Sequence, residues 1–227
     1  MRYKAVLIDI DNTLLHFDES SYKALRKAFA LHGVDFTREM FHDYEQINNR
    51  YWKAFECGEI ERDRLFYERF DEYFAIIGLQ ADGKQFDHEY RVHLAEGYDL
   101  MPHAVELLKA LHGTYKVFVV TNGDAFTQRA RIAGAELEPY FDGVFISEDI
   151  GSQKPDKAFF DTVFAAIGEE YRSCSLLVGD SLSSDMQGGR NAGIPTCFYG
   201  DAAKADARCD YVVADLLDIL PILEETE

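Results

Sequence analysis

The sequence predicts an α/β fold, a doubly wound parallel sheet interrupted by an inserted all-helical domain. From residue 99 onward, short apolar runs alternate with helical patterns, which is typical of parallel strands joined by crossover helices. Residues 17–98, in contrast, show helical periodicity and no strand-like run. The helical stretch follows the first predicted strand, so we expect it to lie inside the first crossover of the sheet.

The first strand is the continuous apolar run Val6-Leu7-Ile8, which fits a strand buried on both faces of a parallel sheet. In the insertion, apolar residues recur at steps of three and four, and each helical pattern ends at or near a glycine. These glycines are Gly33, Gly58, Gly78 and Gly97. The predicted domains are therefore a core of residues 1–16 and 99–227 and a helical domain of residues 17–98.

The rest of the core alternates strands and helices. Further strands are predicted at residues 116–120, 144–147, 175–178, 195–198 and 211–213. Helices are predicted at residues 105–111, 125–133, 159–167, 183–193 and 216–223. From this order we expect helices to cover both faces of the sheet.

Polar residues follow three of the predicted strands. They are Asp9 and Asp11, Thr121 and Asn122, and Asp180. In open parallel sheets, ligands bind beyond the carboxyl ends of the strands, where the strand order reverses. We expect the three groups to meet there, together with Lys154, which precedes Pro155.

The pair Asp9 and Asp11 is costly at the end of an apolar strand unless a cation or hydrogen bonds compensate it. Mg²⁺ is the natural partner because it prefers hard oxygen ligands and keeps waters that a phosphate can displace. A polar turn that merely caps the strand is the alternative interpretation of an isolated Asp-x-Asp.

The composition excludes several classes of partner. The formal net charge is −18, so the field of the protein repels nucleic acid polymers and anionic membranes. No apolar run approaches the length of a membrane span, and the four cysteines show no C-x-x-C spacing. We expect a cytoplasmic monomer or homodimer that binds a small molecule.

The strand-end motifs resemble a known family. Asp9-Ile10-Asp11-Asn12-Thr13, Thr121-Asn122-Gly123, Lys154-Pro155 and Gly179-Asp180 with Asp185 are similar to the four signature motifs of the haloacid dehalogenase (HAD) superfamily. The resemblance implies a Rossmann-like core, and the insertion resembles the C1 cap of that superfamily. Residues 43–49 and 147–151 also resemble a branch of bacterial nucleoside 5′-monophosphatases.

The resemblance implies roles for the paired acids and the lysine. Asp9 would be the nucleophile that forms an aspartyl-phosphate. Asp11 would protonate the leaving group and then accept a proton from water. Lys154 would neutralise charge, because a phosphate dianion otherwise repels a carboxylate nucleophile.

The remaining motif residues would hold the phosphate and the metal. Thr121 and the backbone N–H of Asn122 suit phosphoryl oxygens, as does the amino end of the helix that begins near Ala125. The implied cofactor is Mg²⁺, held by Asp9, Asp11 (through its backbone carbonyl) and Asp180. Asp185 would orient waters or Lys154.

The implied activity is Mg²⁺-dependent hydrolysis of phosphate monoesters of small metabolites, and nucleoside 5′-monophosphates are the leading candidate substrates. A sugar-phosphate phosphatase or a phosphoglucomutase-type phosphotransferase remains open. A 2-haloacid dehalogenase is a further alternative, although that branch lacks the second aspartate and needs no metal, so Asp11 and Asp180 argue against it. A phospho-accepting receiver domain is the third alternative. Such domains are about half as long as this chain and have no helical insertion, which argues against this alternative.

Selectivity for the leaving group would come from the helical domain, because the core motifs recognise only the phosphoryl group. One predicted helix carries Asn48, Asn49, Arg50 and Trp52, and Glu59 follows it. Aromatic faces stack on bases and amides hydrogen-bond their edges, so Trp52, Asn49 and Glu59 are the candidates. In the core, Arg129 and Arg131 are expected to face solvent or to be paired.

Overall fold

The computed structural model describes residues 2–224. The chain divides into two compact units, one made of Met1–His16 with Tyr98–Glu227 and the other of Phe17–Gly97. We call them the core and the helical unit.

Within the described residues, the core contains a parallel sheet of six strands in the order β3-β2-β1-β4-β5-β6. The strands are β1 (Ala5–Ile8), β2 (Lys116–Thr121), β3 (Gly143–Ile146), β4 (Ser175–Gly179), β5 (Thr196–Tyr199) and β6 (Tyr211–Val213). The chain builds outward from β1 to β3 and then crosses back, so β4 pairs with the other side of β1. This reversal makes the predicted doubly wound sheet, and it places the switch point at the carboxyl ends of β1 and β4.

Both faces of the sheet are covered, which explains the unbroken apolar run of β1. Val6 and Ile8 belong to one apolar cluster, which includes residues of α5 (Ala104–Leu111) and α10 (Ile219–Glu224). Ala5 and Leu7 belong to the other cluster, with residues of α8 (Lys157–Ile167). Alternate side chains of a strand point to opposite faces, so every residue of β1 must be apolar.

The described part of the core also contains α6 (Ala125–Gly134), α7 (Ser147–Ile150) and α9 (Gln187–Ala192). The sequence placed Ser147 in a strand, and this is wrong: β3 ends at Ile146, and Ser147 begins α7. The predicted helix over residues 183–193 begins instead as a π-helical turn, Leu182–Met186, before α9.

The helical unit contains α1 (Phe17–Leu31), α2 (Arg38–Glu56), α3 (Arg62–Ile77) and α4 (Gly83–Leu94). Its interior is aromatic: Phe29 stacks on Phe36 with ring centroids 4.5 Å apart, and Phe70 and Phe86 lie 4.9 Å apart. Gly78 ends α3 with φ +72°, a left-handed conformation that glycine adopts without steric cost. Across residues 2–224, no helix combines the length and apolar character needed to cross a membrane.

Candidate active site

The turn after β1 directs its two acids to different partners. Asn12 has φ +54°, a left-handed conformation that asparagine tolerates better than most residues. Its N–H donates to the carbonyl of Leu15 at 2.8 Å, and the N–H of Leu15 donates to Ile10 at 2.9 Å. This tight turn interrupts strand alternation, so Asp9 contacts the lysine of the third motif while Asp11 contacts α6.

Lys154 lies at the centre of the site. Its Nζ donates to Asp9 Oδ1 at 2.6 Å, to Asp185 Oδ1 at 2.6 Å and to the carbonyl of Val120 at 2.9 Å. The side chain is buried, with 1% of the residue exposed. An ammonium group has three donors, and all three are used here to link β1, β2 and the turn that contains Asp185.

The Asn122 side chain forms two hydrogen bonds with the backbone of Lys154. Its Nδ2 donates to the backbone carbonyl of Lys154 at 2.7 Å, and its Oδ1 accepts from the Lys154 backbone N–H at 2.8 Å. The amide side chain therefore positions the lysine, which is a use that the sequence did not indicate.

Three acids form a cluster that could hold a metal ion. Ligand oxygens of Asp9, Asp180 and Asp185 all lie within 4.8 Å of one another. Gly179 makes the close approach possible, since a Cβ at this position would lie 2.2 Å from Asp185 Oδ2. Asp185 Oδ2 also accepts from the N–H of Ser181 at 3.1 Å, which fixes the π-helical turn to the end of β4.

The pKa values of the cluster reflect burial and crowding. Burial raises the pKa of the Asp9 carboxyl to about 7, and Lys154 opposes the rise while Asp185 and Asp11 add to it. Burial, with the neighbouring Asp9 and Asp185, also raises the pKa of Asp180 well above its usual range. Burial alone would lower the pKa of Lys154, but the carboxylates of Asp185 and Asp9 outweigh it and raise that pKa.

Asp11 is held by two side chains of α6. Arg131 Nη1 donates to its Oδ1, and Gln128 Nε2 donates to its Oδ2 at 2.6 Å. The same Gln128 nitrogen lies 2.9 Å from Thr121 Oγ1, which also accepts from the N–H of Gly123 at 3.1 Å. Thr121, at the end of β2, is thereby connected to Asp11, which follows β1.

The donor set fits Mg²⁺. Asp9, Asp180 and Asp185 offer oxygen ligands only, and neither histidine nor cysteine belongs to this group, which suits a hard cation better than zinc. Counting Asp11 as well, four carboxylates face two cations, Lys154 and Arg131. A divalent cation would balance this excess of negative charge.

Two backbone amides at the amino end of α6 have carboxylate partners. The first N–H of α6, on Ala125, donates to Glu148 Oε2 at 2.7 Å, and the N–H of Thr127 donates to Asp124 Oδ1 at 2.8 Å. Carboxylates thus accept hydrogen bonds from both of these amides at the amino end of α6.

The helical-unit candidates differ in exposure. Asn49 and Glu59 are exposed, and Trp52 is half-buried, with its ring 6.0 Å from that of Phe55. Asn48, which the sequence placed on the same helix, is buried and accepts from Arg69 Nη1 at 2.7 Å. It therefore belongs to the interior of the helical unit and does not read a leaving group.

Gln128 and Arg131 are the main residues that sequence reasoning missed. Arg129 is exposed and pairs with Asp149 at 2.6 Å, as expected for a surface arginine. Arg131 is paired too, but it is fully buried and its partner is Asp11. Residues three apart share a helix face, so the spacing of Gln128 and Arg131 after the Thr121 motif was a signal that could have found them.

Comparisons with known proteins identify the family of this chain. A model of the haloacid dehalogenase-like hydrolases matches residues 3–193. The chain is 38% identical over 203 residues to the HAD-hydrolase YfnB of Bacillus subtilis (strain 168), covering 89% of this chain and 86% of that protein. The crystal structure of YfnB bound to magnesium superposes with a TM-score of 0.93 at 35% identity, covering 99% of this chain and 100% of that one.

Two other relatives are named as nucleotidases. The pyrimidine 5′-nucleotidase PynA of Streptococcus pneumoniae (strain ATCC BAA-255 / R6) is 34% identical over 229 residues, covering 99% of this chain and 97% of that protein. The pyrimidine 5′-nucleotidase YjjG of Escherichia coli (strain K12) is 35% identical over 198 residues, covering 87% of this chain and 86% of that protein. The family model and these relatives span most of the chain, and the protein therefore belongs to the haloacid dehalogenase-like hydrolases.

Proposed function

We propose that this hydrolase is a Mg²⁺-dependent phosphatase that cleaves nucleoside 5′-monophosphates, pyrimidine nucleotides first, through a phosphorylated Asp9. One observation carries the proposal. Asp9, the acid at the end of β1, accepts from the ammonium of Lys154 at 2.6 Å inside a cluster of buried acids. A carboxylate there can attack a phosphate only where positive charge is close.

In the first step, an Asp9 carboxylate oxygen forms a bond to phosphorus while the bond from phosphorus to the ester oxygen breaks. The electron pair of that bond goes to the ester oxygen, which takes a proton from the Asp11 carboxyl and leaves as the alcohol. Lys154 holds Asp9 in place and offsets its charge.

In the second step, a water oxygen bonds to phosphorus and the bond between phosphorus and Asp9 breaks. The electron pair returns to the Asp9 carboxylate, and a proton of the water passes to Asp11. The products are the alcohol and inorganic phosphate, and Asp9 and Asp11 return to their starting states. Thr121 is the hydroxyl beside Asp11 that suits a phosphoryl oxygen.

The side chains of Asp9 and Asp180 and the backbone carbonyl of Asp11 would hold the Mg²⁺, with Asp185 beside them. When bound, the ion supplies positive charge that offsets the repulsion between a phosphate dianion and these carboxylates. The magnesium in the YfnB crystal structure supports this assignment.

The substrate class rests on the relatives. PynA and YjjG, both named pyrimidine 5′-nucleotidases, are 34% and 35% identical to this chain. The exposed Asn49 and Glu59 and the half-buried Trp52 are the side chains that we assign to reading the nucleoside.

The test is a phosphate-release screen with Mg²⁺. We expect UMP, CMP and dTMP to give a higher kcat/KM than AMP, ribose 5-phosphate and glucose 6-phosphate. A rapid acid quench during turnover should trap phosphate on a peptide that contains Asp9. Turnover of sugar phosphates alone would overturn the nucleotide assignment, and transfer that requires a sugar bisphosphate would favour a phosphotransferase. Release of halide from 2-haloacids without metal would overturn the phosphatase assignment itself.

A further inference from the structure

We propose that Gln128 and Arg131 of α6 are positioning residues that fix the Asp11 carboxyl for both of its proton transfers. This inference rests on the proposed function, because it takes Asp11 as the group that gives and accepts the proton. Neither residue belongs to the strand-end motifs that the sequence identified.

Both carboxylate oxygens of Asp11 are held from one helix. Arg131 Nη1 contacts Oδ1, and Gln128 Nε2 donates to Oδ2 at 2.6 Å. The two α6 side chains also contact each other, since Arg131 Nη1 lies 3.2 Å from Gln128 Oε1. Asp11 stands on a turn outside the sheet, where one contact would leave its carboxyl free to rotate, whereas two contacts fix its plane.

The α6 side chains are built into the interior. Arg131 is 0% exposed and Gln128 is 1% exposed. A buried guanidinium is costly unless it is paired, and its ion pair here is with Asp11. Gly123 leaves the space for Gln128, because a Cβ at position 123 would lie 2.3 Å from Gln128 Nε2.

The arrangement leaves the Asp11 carboxyl accessible to a substrate. Its side chain is 27% exposed, although that of Arg131 is fully buried. A substrate oxygen can therefore reach the carboxyl from outside while α6 holds it from within. Gln128 also contacts Thr121 Oγ1 at 2.9 Å, so one amide sets the spacing between the proton donor and the hydroxyl that we assign to the phosphoryl group.

A general acid accelerates the reaction more when the leaving group is poor than when it is good. Phenolate leaves with difficulty and benefits from a proton, whereas 2,4-dinitrophenolate leaves readily without one. The value of kcat/KM reports only the steps up to release of the first product. The two esters, phenyl phosphate and 2,4-dinitrophenyl phosphate, therefore separate proton donation from binding and folding, and they do so without reference to nucleoside recognition.

The test compares Arg131→Met with the wild-type enzyme on these two esters in Mg²⁺. General acid catalysis contributes about 10² to 10⁴-fold, so we expect kcat/KM for phenyl phosphate to fall by about 10²-fold. For 2,4-dinitrophenyl phosphate, kcat/KM should stay within about threefold of wild type. Its kcat should still fall, because water attack on phosphorylated Asp9 needs Asp11 as the base.

Two variants serve as controls. Arg129→Met removes an exposed arginine of the same helix, whose partner is Asp149, and should leave kcat/KM for both esters unchanged. In an Asp11→Asn background, Arg131→Met should cost nothing further, since residues that act as a unit are not additive.

An equal loss of kcat/KM on both esters, or full additivity with Asp11→Asn, would overturn the positioning role and leave the proposed function standing. If the wild-type enzyme releases phosphate neither from these esters nor from UMP, the proposed function fails instead. If it cleaves UMP but neither ester, UMP and acetyl phosphate take the place of the esters with the poor and the good leaving group. Should Arg131→Met not fold, Gln128→Met decides the question. It keeps the volume of the side chain but removes the amide, and it must show the same dependence on leaving group in kcat/KM.

Discussion

Each unit of the protein buries a cluster of ions, and the central ion has the opposite sign in the two clusters. In the core, Lys154 lies between Asp9 and Asp185 at 2.6 Å from each, with Asp180 nearby. In the helical unit, Asp87 lies between Arg69 at 3.0 Å and Arg91 at 2.7 Å. The core cluster holds a cation between acids, whereas the helical cluster holds an acid between two cations.

Arg69 also has an amide and two aromatic rings beside it. Its Nη1 donates to Asn48 at 2.7 Å, and its guanidinium lies 4.8 Å from the ring of Phe70 and 5.6 Å from that of Tyr90. Aromatic faces attract cations, so these rings help to stabilise the buried guanidinium. Buried ions do not by themselves mark an active site. Our proposal of an active site in the core rests instead on a group of acids at the carboxyl ends of parallel strands.

The largest expected effect comes from removing the proposed nucleophile. Asp9→Asn keeps the shape of the side chain but cannot form an aspartyl-phosphate, so kcat should fall at least about 10⁴-fold, or about 5.5 kcal/mol of activation free energy. The melting temperature should move by only a few degrees, because Lys154 keeps Asp185 and Val120 as partners. Phosphate release and thermal melts measure the two effects.

The matched control is Asp161→Asn. Asp161 is a half-exposed acid of the core that pairs with Lys157 at 2.7 Å, and its loss should leave kcat unchanged. Residual turnover of a few per cent in pure Asp9→Asn protein would exclude Asp9 as the nucleophile.

The helical cluster should behave in the opposite way. Arg69→Met leaves the buried Asp87 with only Arg91, and breaking a buried pair typically costs about 3–5 kcal/mol. We expect urea unfolding to show that loss of stability, while kcat per folded molecule stays near wild type at low temperature. A fall in kcat with unchanged stability would place Arg69 in the catalytic machinery.

Arg91→Met is the comparison for Arg69→Met. The side chain of Arg91 is 27% exposed, against 4% for Arg69. Water can therefore replace part of the stabilisation that Arg91 gives to the Asp87 carboxylate. The removal of Arg91 should cost less than half as much stability as the removal of Arg69.

Adding Mg²⁺ should stabilise the core through its excess of acids. A ligand that binds only the folded state at about 100 times its Kd adds about 2.7 kcal/mol of stability. The melting temperature of the wild type should rise with Mg²⁺ and fall back with EDTA, and activity should follow. Asp180→Asn should lose most of this shift, whereas Asp161→Asn should keep it. A shift that survives Asp180→Asn would place the metal elsewhere.

The core was predicted well from the sequence because its signals are local. An apolar run of three or more residues fixes a buried strand, and the residues that follow the strand must lie at its carboxyl end. Asp9, Thr121 and Asp180 could therefore be placed at strand ends from the sequence alone. Ser147 was misplaced because it directly follows the apolar run of β3, and a helical turn of four residues, Ser147–Ile150, has too little periodicity to detect.

Contacts between distant segments were harder to predict. The pairing of Arg131 with Asp11 joins residues 120 positions apart, and an arginine on a helix usually faces solvent. In the helical unit, periodicity identified the apolar face of α2, yet it could not tell the buried Asn48 from the exposed Asn49. A polar residue on such a helix is buried only if a partner such as Arg69 reaches it from another helix.

The smallest expected effect concerns recognition of the leaving group by the helical unit. In the proposed mechanism, the core acids and Lys154 contact only the phosphoryl group, so discrimination between leaving groups would come from other residues. We expect Trp52→Leu combined with Glu59→Gln to change the ratio of kcat/KM between UMP and ribose 5-phosphate by about tenfold, or about 1.4 kcal/mol. Acetyl phosphate, which has almost no leaving group to read, should be turned over as before. Ile76→Ala, at a 66% exposed position of α3, is the control and should leave all three rates unchanged. If the double variant lowers kcat/KM for all three substrates in parallel, this segment supports the structure of the helical unit and does not select the substrate.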